Sequence, residues 1–202
     1  MLEAHFGVIK SIKLPDSFAR GETLNGGMRQ NWRRSFHPRE KKDSRDVSIT
    51  SLFRGSPTPF LEASTFRKVL AQPPGLIFSS AEDSQHLCHP EAPLLINEMA
   101  EALGNAGNNQ FTNFETGVGG PRFCLQRMEV LAIGGRNTLA VYGVFHNSKM
   151  EPQAYFCGLF IDAAPDKADC AIEELVFEAQ TKELYEKYRL AFERALSTIQ
   201  WA

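Results

Sequence analysis

The sequence predicts an α+β domain, an antiparallel sheet with helices packed on it, from three observations. Residues 123–133, 139–146 and 154–161 are apolar runs rich in β-formers, each divided from the next by a short turn segment. Short connections imply antiparallel neighbours, hence a meander. After Thr181 the side chains Leu184, Tyr185, Tyr188, Phe192, Leu196 and Ile199 recur at helical spacing on one face. The aromatic residues are skewed to 15 Phe against 2 Trp and 4 Tyr. Phe has no polar handle, so each ring belongs inside, where burial is worth about 1.5–3 kcal/mol. This skew argues for a filled core rather than an aromatic binding surface. At 202 residues, 43% hydrophobic and 23% charged, the chain has the size and composition of one globular domain over 1–202. It contains no run of about 18 apolar residues that would span a bilayer.

Each element follows from local chemistry. Val8, Ile12 and Leu14 mark a short strand over 8–14 that stops at Pro15-Asp16. Residues 20–31, with three Gly and two Asn, read as a mobile loop. Trp32 and Phe36 anchor the start of an irregular basic segment, which the alternating strand 47–53 closes. Arg54-Gly55-Ser56-Pro57-Thr58-Pro59 is punctuation. A helix over 60–72, with Phe66, Val69 and Leu70 on one side, is stopped by Pro73-Pro74-Gly75. Residues 79–93 are polar and loop-like. A second helix over 93–103 carries Leu95, Met99 and Leu103 and meets Gly104, and 105–109 is a linker. Gly134-Gly135-Arg136-Asn137 and residues 147–152 supply the turns of the meander. Residues 170–179 alternate in a way that suits a strand, although Glu and Ala favour a helix and Asp169 is a possible cap. The strand reading is preferred because Thr181 offers a fresh N-cap for the final helix. In that helix Glu183 and Lys187 form an i, i+4 pair, and Trp201 just beyond it is placed to dock on a sheet edge.

The formal charge of −2 is unevenly spread, with 13 Lys and Arg against 7 Asp and Glu in residues 1–70, and 9 against 17 thereafter. Arg29, Arg33, Arg34, Arg39, Lys41, Lys42 and Arg45, with Trp32 among them, form the candidate binding segment. Complementary charge steers association with an acidic protein surface without any enzyme chemistry. Nucleic acid is the less favoured partner, because the whole chain is mildly acidic.

The candidates for catalysis are thin. His86, Cys88 and His89 form the sharpest cluster, and imidazole and thiolate suit zinc or a Cys–His nucleophile pair. A structural zinc site usually recruits a second, distant ligand pair, and no Cys-x-x-Cys is present, so no metal and no cofactor are expected. Gly117-Val118-Gly119-Gly120-Pro121-Arg122 leads into a strand rather than a helix, so it lacks the aligned amides of a phosphate loop. Gly-x-Ser-x-Gly and His-Glu-x-x-His are absent. The four cysteines, at 88, 124, 157 and 170, are too sparse for a disulfide framework, and no basic stretch followed by an apolar run opens the chain. A cytoplasmic, non-enzymatic protein-binding domain is therefore expected, with no membrane partner.

One layout is suggestive. The strand, the Gly134-Gly135-Arg136-Asn137 turn, two more strands, then Glu173-Glu174-Leu175-Val176-Phe177-Glu178-Ala179 and a long helix ending Ser197-Thr198-Ile199-Gln200-Trp201 resemble the PsbP-like superfamily. Ile12-Lys13-Leu14-Pro15 resembles its opening strand. That group includes the photosystem extrinsic protein, the Ran-binding Mog protein and bacterial adaptors or chaperones. The resemblance covers residues 8–201 and implies an α/β/α sandwich that binds without catalysis; the basic loop around 20–46 is longer and more basic than that pattern and reads as an insertion. The superfamily has no shared catalytic signature, so no site residue is carried across.

Overall fold

Strands make up more than half of the described residues. The structure, a computed structural model, describes residues 2–21, 33–53, 63–80, 122–147 and 149–202. These form β1 (Leu2–Phe6), β2 (Ile9–Leu14), β3 (Phe18–Arg20), β4 (Arg33–Pro38), β5 (Val47–Phe53), α1 (Ala63–Leu70), β6 (Gly75–Ser79), β7 (Arg122–Ile133), β8 (Arg136–His146), β9 (Pro152–Asp162), β10 (Ile172–Ala179), α2 (Lys182–Leu196) and β11 (Gln200–Trp201). A large antiparallel sheet runs β3-β4-β5-β10-β9-β8-β7-β6, and a small one runs β1-β2-β11. The architecture is α+β with α1 and α2 on opposite faces of the large sheet, an α/β/α sandwich.

Two cores lie against the large sheet. On one face, Leu175, Phe177, Leu159 and Ile49 meet Tyr188, Phe192 and Leu196 of α2 and Ile9, Ile12 and Leu14 of the small sheet. On the other, Val141, Phe145, Phe156, Phe160, Ile172 and Val176 meet Phe66 and Val69 of α1. Both faces of β10 are therefore covered, which explains why its sequence reads as two interleaved apolar series rather than one clean alternation. Residues 172–179 are a strand, and Thr181 is the N-cap of α2, its hydroxyl accepting from the Leu184 amide.

Several expectations are corrected. The segment expected to be irregular contains β4, because Phe36 is buried and β5 offers it a ready edge in antiparallel register. Arg20 belongs to β3 rather than to a loop. Strands β1, β6 and β11 were not expected. The meander turn is only Gly134-Gly135, with φ of +54° and +80° that a Cβ disfavours. Arg136 and Asn137 instead open β8, and Asn137 donates to the Leu70 and Gln72 carbonyls at 2.8 and 2.9 Å, satisfying the orphan end of α1. The helix expected over 93–103 lies outside the described residues.

Two contacts fasten the small sheet. Trp201 Nε1 donates to the Ile133 carbonyl at 2.8 Å beside the Gly134 turn, where a Cβ would come within 3.1 Å of the indole nitrogen. Glu173 at the start of β10 accepts the Val8 amide at 2.9 Å, pressed against Gly7 so closely that no Cβ fits there. Burial raises the Glu173 carboxyl above its ordinary value, against the lowering effects of the Val8 amide and Arg136.

Two outcomes follow. Phe192→Ala, which empties a fully buried ring site, lowers stability by about 3–5 kcal/mol in urea unfolding. For Glu173 the folded state holds its proton more tightly than the unfolded chain. Its contribution is therefore complete below the ordinary value of 4.5 and is lost as pH rises through the elevated folded value. Glu173→Gln removes that decline, and its stability advantage over the parent grows as pH is raised from 4 towards 8 in a denaturation series, on the order of the interval spanned by ordinary and elevated carboxyl values.

Candidate functional site

The turn joining β4 to β5 carries most of the predicted cations. Arg39, Lys41, Lys42 and Arg45 are exposed on it. Arg33 and Arg34 precede it on β4, opposite Leu52 and Ser51 of β5. Arg29 and Trp32 lie outside the described residues, as do His86, Cys88 and His89.

The turn is held down by its own acidic residues. Asp43 is buried, and its Oδ2 accepts from Lys187 Nζ and from the Tyr188 hydroxyl, each at 2.7 Å. Glu40 takes a second bond from Lys187 at 3.1 Å. Lys187 thus reaches back to the turn instead of pairing with Glu183 as its spacing suggested. Arg39 Nε donates to the Asp16 carbonyl at 2.9 Å, tying the turn to the β2–β3 connection. The Lys187 and Tyr188 bonds hold the Asp43 carboxyl below its ordinary range, and Asp43 in return raises Lys187. Beside the turn a cleft of about 670 Å³ is lined by His37, Arg45, Ser48, Gln153, Gln180 and Thr181.

On the other flank of α2 lies a larger groove of about 1080 Å³ over β7, β8 and β9. Leu131, Tyr142, Val144 and Tyr155 line its sheet side, and Tyr185, Arg189 and Glu193 line its helix side. Tyr142 donates to Glu129 Oε1 at 3.0 Å, Arg127 pairs with the same carboxylate, and Arg189 meets Glu193 at 2.6 Å. The rings of Tyr155 and Tyr185 stand 5.8 Å apart. Burial raises Tyr142, Tyr185 and the thiol of Cys157 beneath them, so these groups stay protonated across the physiological range. Their hydroxyls can donate hydrogen bonds, and His146, Glu129 and Glu193 line the same groove. Among the described residues no group of three His, Cys, Asp or Glu side chains is placed to hold a metal.

No family model and no curated protein matches the chain. A solved structure does: the solution structure of cyanobacterial PsbP (CyanoP) from Synechocystis sp. PCC 6803 superposes with a TM-score of 0.50, covering 95% of this chain and 86% of that one at 7% identity. The fold is PsbP-like. At that identity the likeness speaks to the PsbP-like fold alone.

Sequence reasoning missed the groove and the Asp43 anchor. It read the chain as lacking an aromatic surface, yet three of its 4 tyrosines line the groove and the remaining one, Tyr188, holds Asp43. The available signal was the rarity of Tyr beside Phe. Where this chain spends a hydroxyl on a ring, the ring stands at a polar boundary.

Asp43→Asn tests the anchor. Trypsin cleavage at Lys41 and Lys42 is expected to accelerate roughly tenfold as the turn opens locally. A carboxyl held low contributes above the ordinary value of 3.8, and that contribution disappears as pH falls through the lowered folded value. Hydrogen exchange of the parent's turn amides therefore steps up only at strongly acidic pH, and Asp43→Asn shows fast exchange without that step.

Proposed function

We propose that the chain is a non-catalytic protein-binding domain that holds an acidic surface of a partner against the turn 39–46. The observation that carries this reading is the fixed presentation of its cations. Asp43 spends its charge inward on Lys187 and Tyr188, while Lys41, Lys42 and Arg45 face solvent and the exposed Glu40 is shared between Lys187 and Lys42. A pre-ordered cationic surface binds without first paying the entropy of ordering a flexible arm. Opposite charge also speeds encounter and penalises basic competitors.

The neighbouring cleft supports the reading in part: Ser48, Gln153, Gln180 and Thr181 offer neutral hydrogen-bonding groups beside Arg45, while Asp46 and Glu178 in its lining confine the cationic contact to the turn. So does the protonated state of the groove phenols and the Cys157 thiol, which leaves those groups without a poised base or nucleophile. The fold is compatible with an adaptor or chaperone-like role in the cytoplasm, where free thiols such as Cys157 and Cys170 persist. No helix among the described residues is long and apolar enough to cross a membrane.

The test is capture of the partner from native extract by tagged protein, followed by affinity measurement with the purified partner. Lys41→Glu, Lys42→Glu and Arg45→Glu combined should weaken binding by at least about a hundredfold, and added salt should weaken the parent's binding steeply. Unchanged recovery by the triple variant removes the turn from the interface.

A further inference from the structure

Helix α1 and the small sheet lie on opposite faces of the large sheet, α1 against Phe156, Phe160 and Val176, the small sheet against Leu159 and Leu175. One strand end touches both. The last rung between β8 and β9 is Leu139 opposite Phe160, and Asp162 closes β9 just beyond it. There Arg67 of α1 inserts its guanidinium into the connection from β9 to β10. Its Nε donates to Asp162 Oδ2 at 2.7 Å, Nη1 to the Lys167 carbonyl at 2.7 Å and Nη2 to the Ala164 carbonyl at 2.8 Å. Longer bonds reach the Ala168 and Asp169 carbonyls. Oδ1 of Asp162 accepts the Ala164 amide at 3.0 Å and faces the Cys170 thiol. A side chain of α1 therefore fills the centre of the connection 163–169, and a planar fork with donors on every edge is the group that suits it. The Asp162 side chain is only 7% exposed. If α1 lifts away, that carboxylate is left without its cation, and the end of β9 has to turn towards water.

The same residue reaches the other face through its main chain. The Asp162 carbonyl accepts from Arg136 Nη2. The Arg136 guanidinium lies 5.2 Å from the ring centroid of Trp201. Trp201 in turn holds the Ile133 carbonyl and stands opposite Ile9 of β2. Arg67, Asp162, Arg136 and Trp201 thus form an unbroken path in which every step is a hydrogen bond or a ring contact. Adjacency alone does not couple two elements. Asp162 supplies the coupling, because its carbonyl stays under Arg136 only while Arg67 keeps its carboxylate in place.

We propose that Asp162 is a conformational coupling between the two faces of the large sheet, so that α1 and the small sheet hold or open together. The proposal is independent of the basic turn, and none of its variants touches α2 or residues 39–46.

The exchange rate of the Trp201 indole N–H, followed by NMR on the full chain, reads the state of the small sheet. Arg67→Ala is expected to accelerate it at least about tenfold. In an Arg136→Met background, where the path is already cut, the same Arg67→Ala change should alter it by less than about twofold. Coupling is reciprocal. Trp201→Ala should therefore speed exchange of the Ala71 amide, which bonds to the Arg67 carbonyl at 3.0 Å at the end of α1. If circular dichroism shows that Arg67→Ala does not fold, Arg67→Lys takes its place, keeping the charge but losing the fork. Equal acceleration with and without Arg136 marks a general loss of stability and overturns the proposal. A Trp201 signal indifferent to Arg67, or an Ala71 amide indifferent to Trp201, overturns it as well.

Discussion

The seating of α2 on the core that it shares with both sheets is the constraint on which the surface of this molecule depends. Phe192 lies over Phe177 of β10 with ring centroids 5.5 Å apart, and Tyr188 meets Phe18 edge-on at 5.6 Å. These contacts fix the rotation of the helix about its own axis. Lys187 then faces the β4–β5 turn, Arg189 and Glu193 face the groove, and Leu190 faces solvent. A quarter-turn of α2 would bury charges and release rings, so a handful of aromatic contacts decides where each polar surface appears.

The Asp43 anchor shows how a run of like charges is accommodated. The segment 39–45 is strongly basic in sequence, and repulsion among its side chains favours an extended, solvated loop. Its two acidic residues change that outcome. Asp43 is enclosed by a lysine and a phenol that both donate to it, and a buried carboxylate with two such donors is held in place far more firmly than an exposed pair. Geometry thus separates the segment's charges, with Asp43 turned in, Lys41, Lys42 and Arg45 turned out, and Glu40 exposed between Lys187 and Lys42.

Much of the framework was legible in the sequence, and the reasons differ by element. Strands β5, β7, β8 and β9 announce themselves because each combines β-formers with turn chemistry at its ends, and α2 because its stripe spans four turns and begins at a capping threonine. Strands β1, β3, β6 and β11 are short and sit at sheet edges or in the small sheet, where pairing partners decide the conformation more than local propensity does. Strand β4 was obscured by Arg33 and Arg34, which mask the inward-facing Phe36. The groove and the Asp43 anchor were not legible, because each joins residues more than ten positions apart, 145 in the case of Tyr188 and Asp43. No local pattern encodes such a meeting.

Strand β11 pairs with β2 across most of the chain, Gln200 opposite Ser11 and Trp201 opposite Ile9. During synthesis, Ile12 and Leu14 are made well over a hundred residues before β11. Until then the N-terminal ribbon has an open edge and a greasy face. Such long-range closure slows folding and lengthens exposure to aggregation. A nascent chain of this kind has reason to depend on a holding chaperone until β11 has been made.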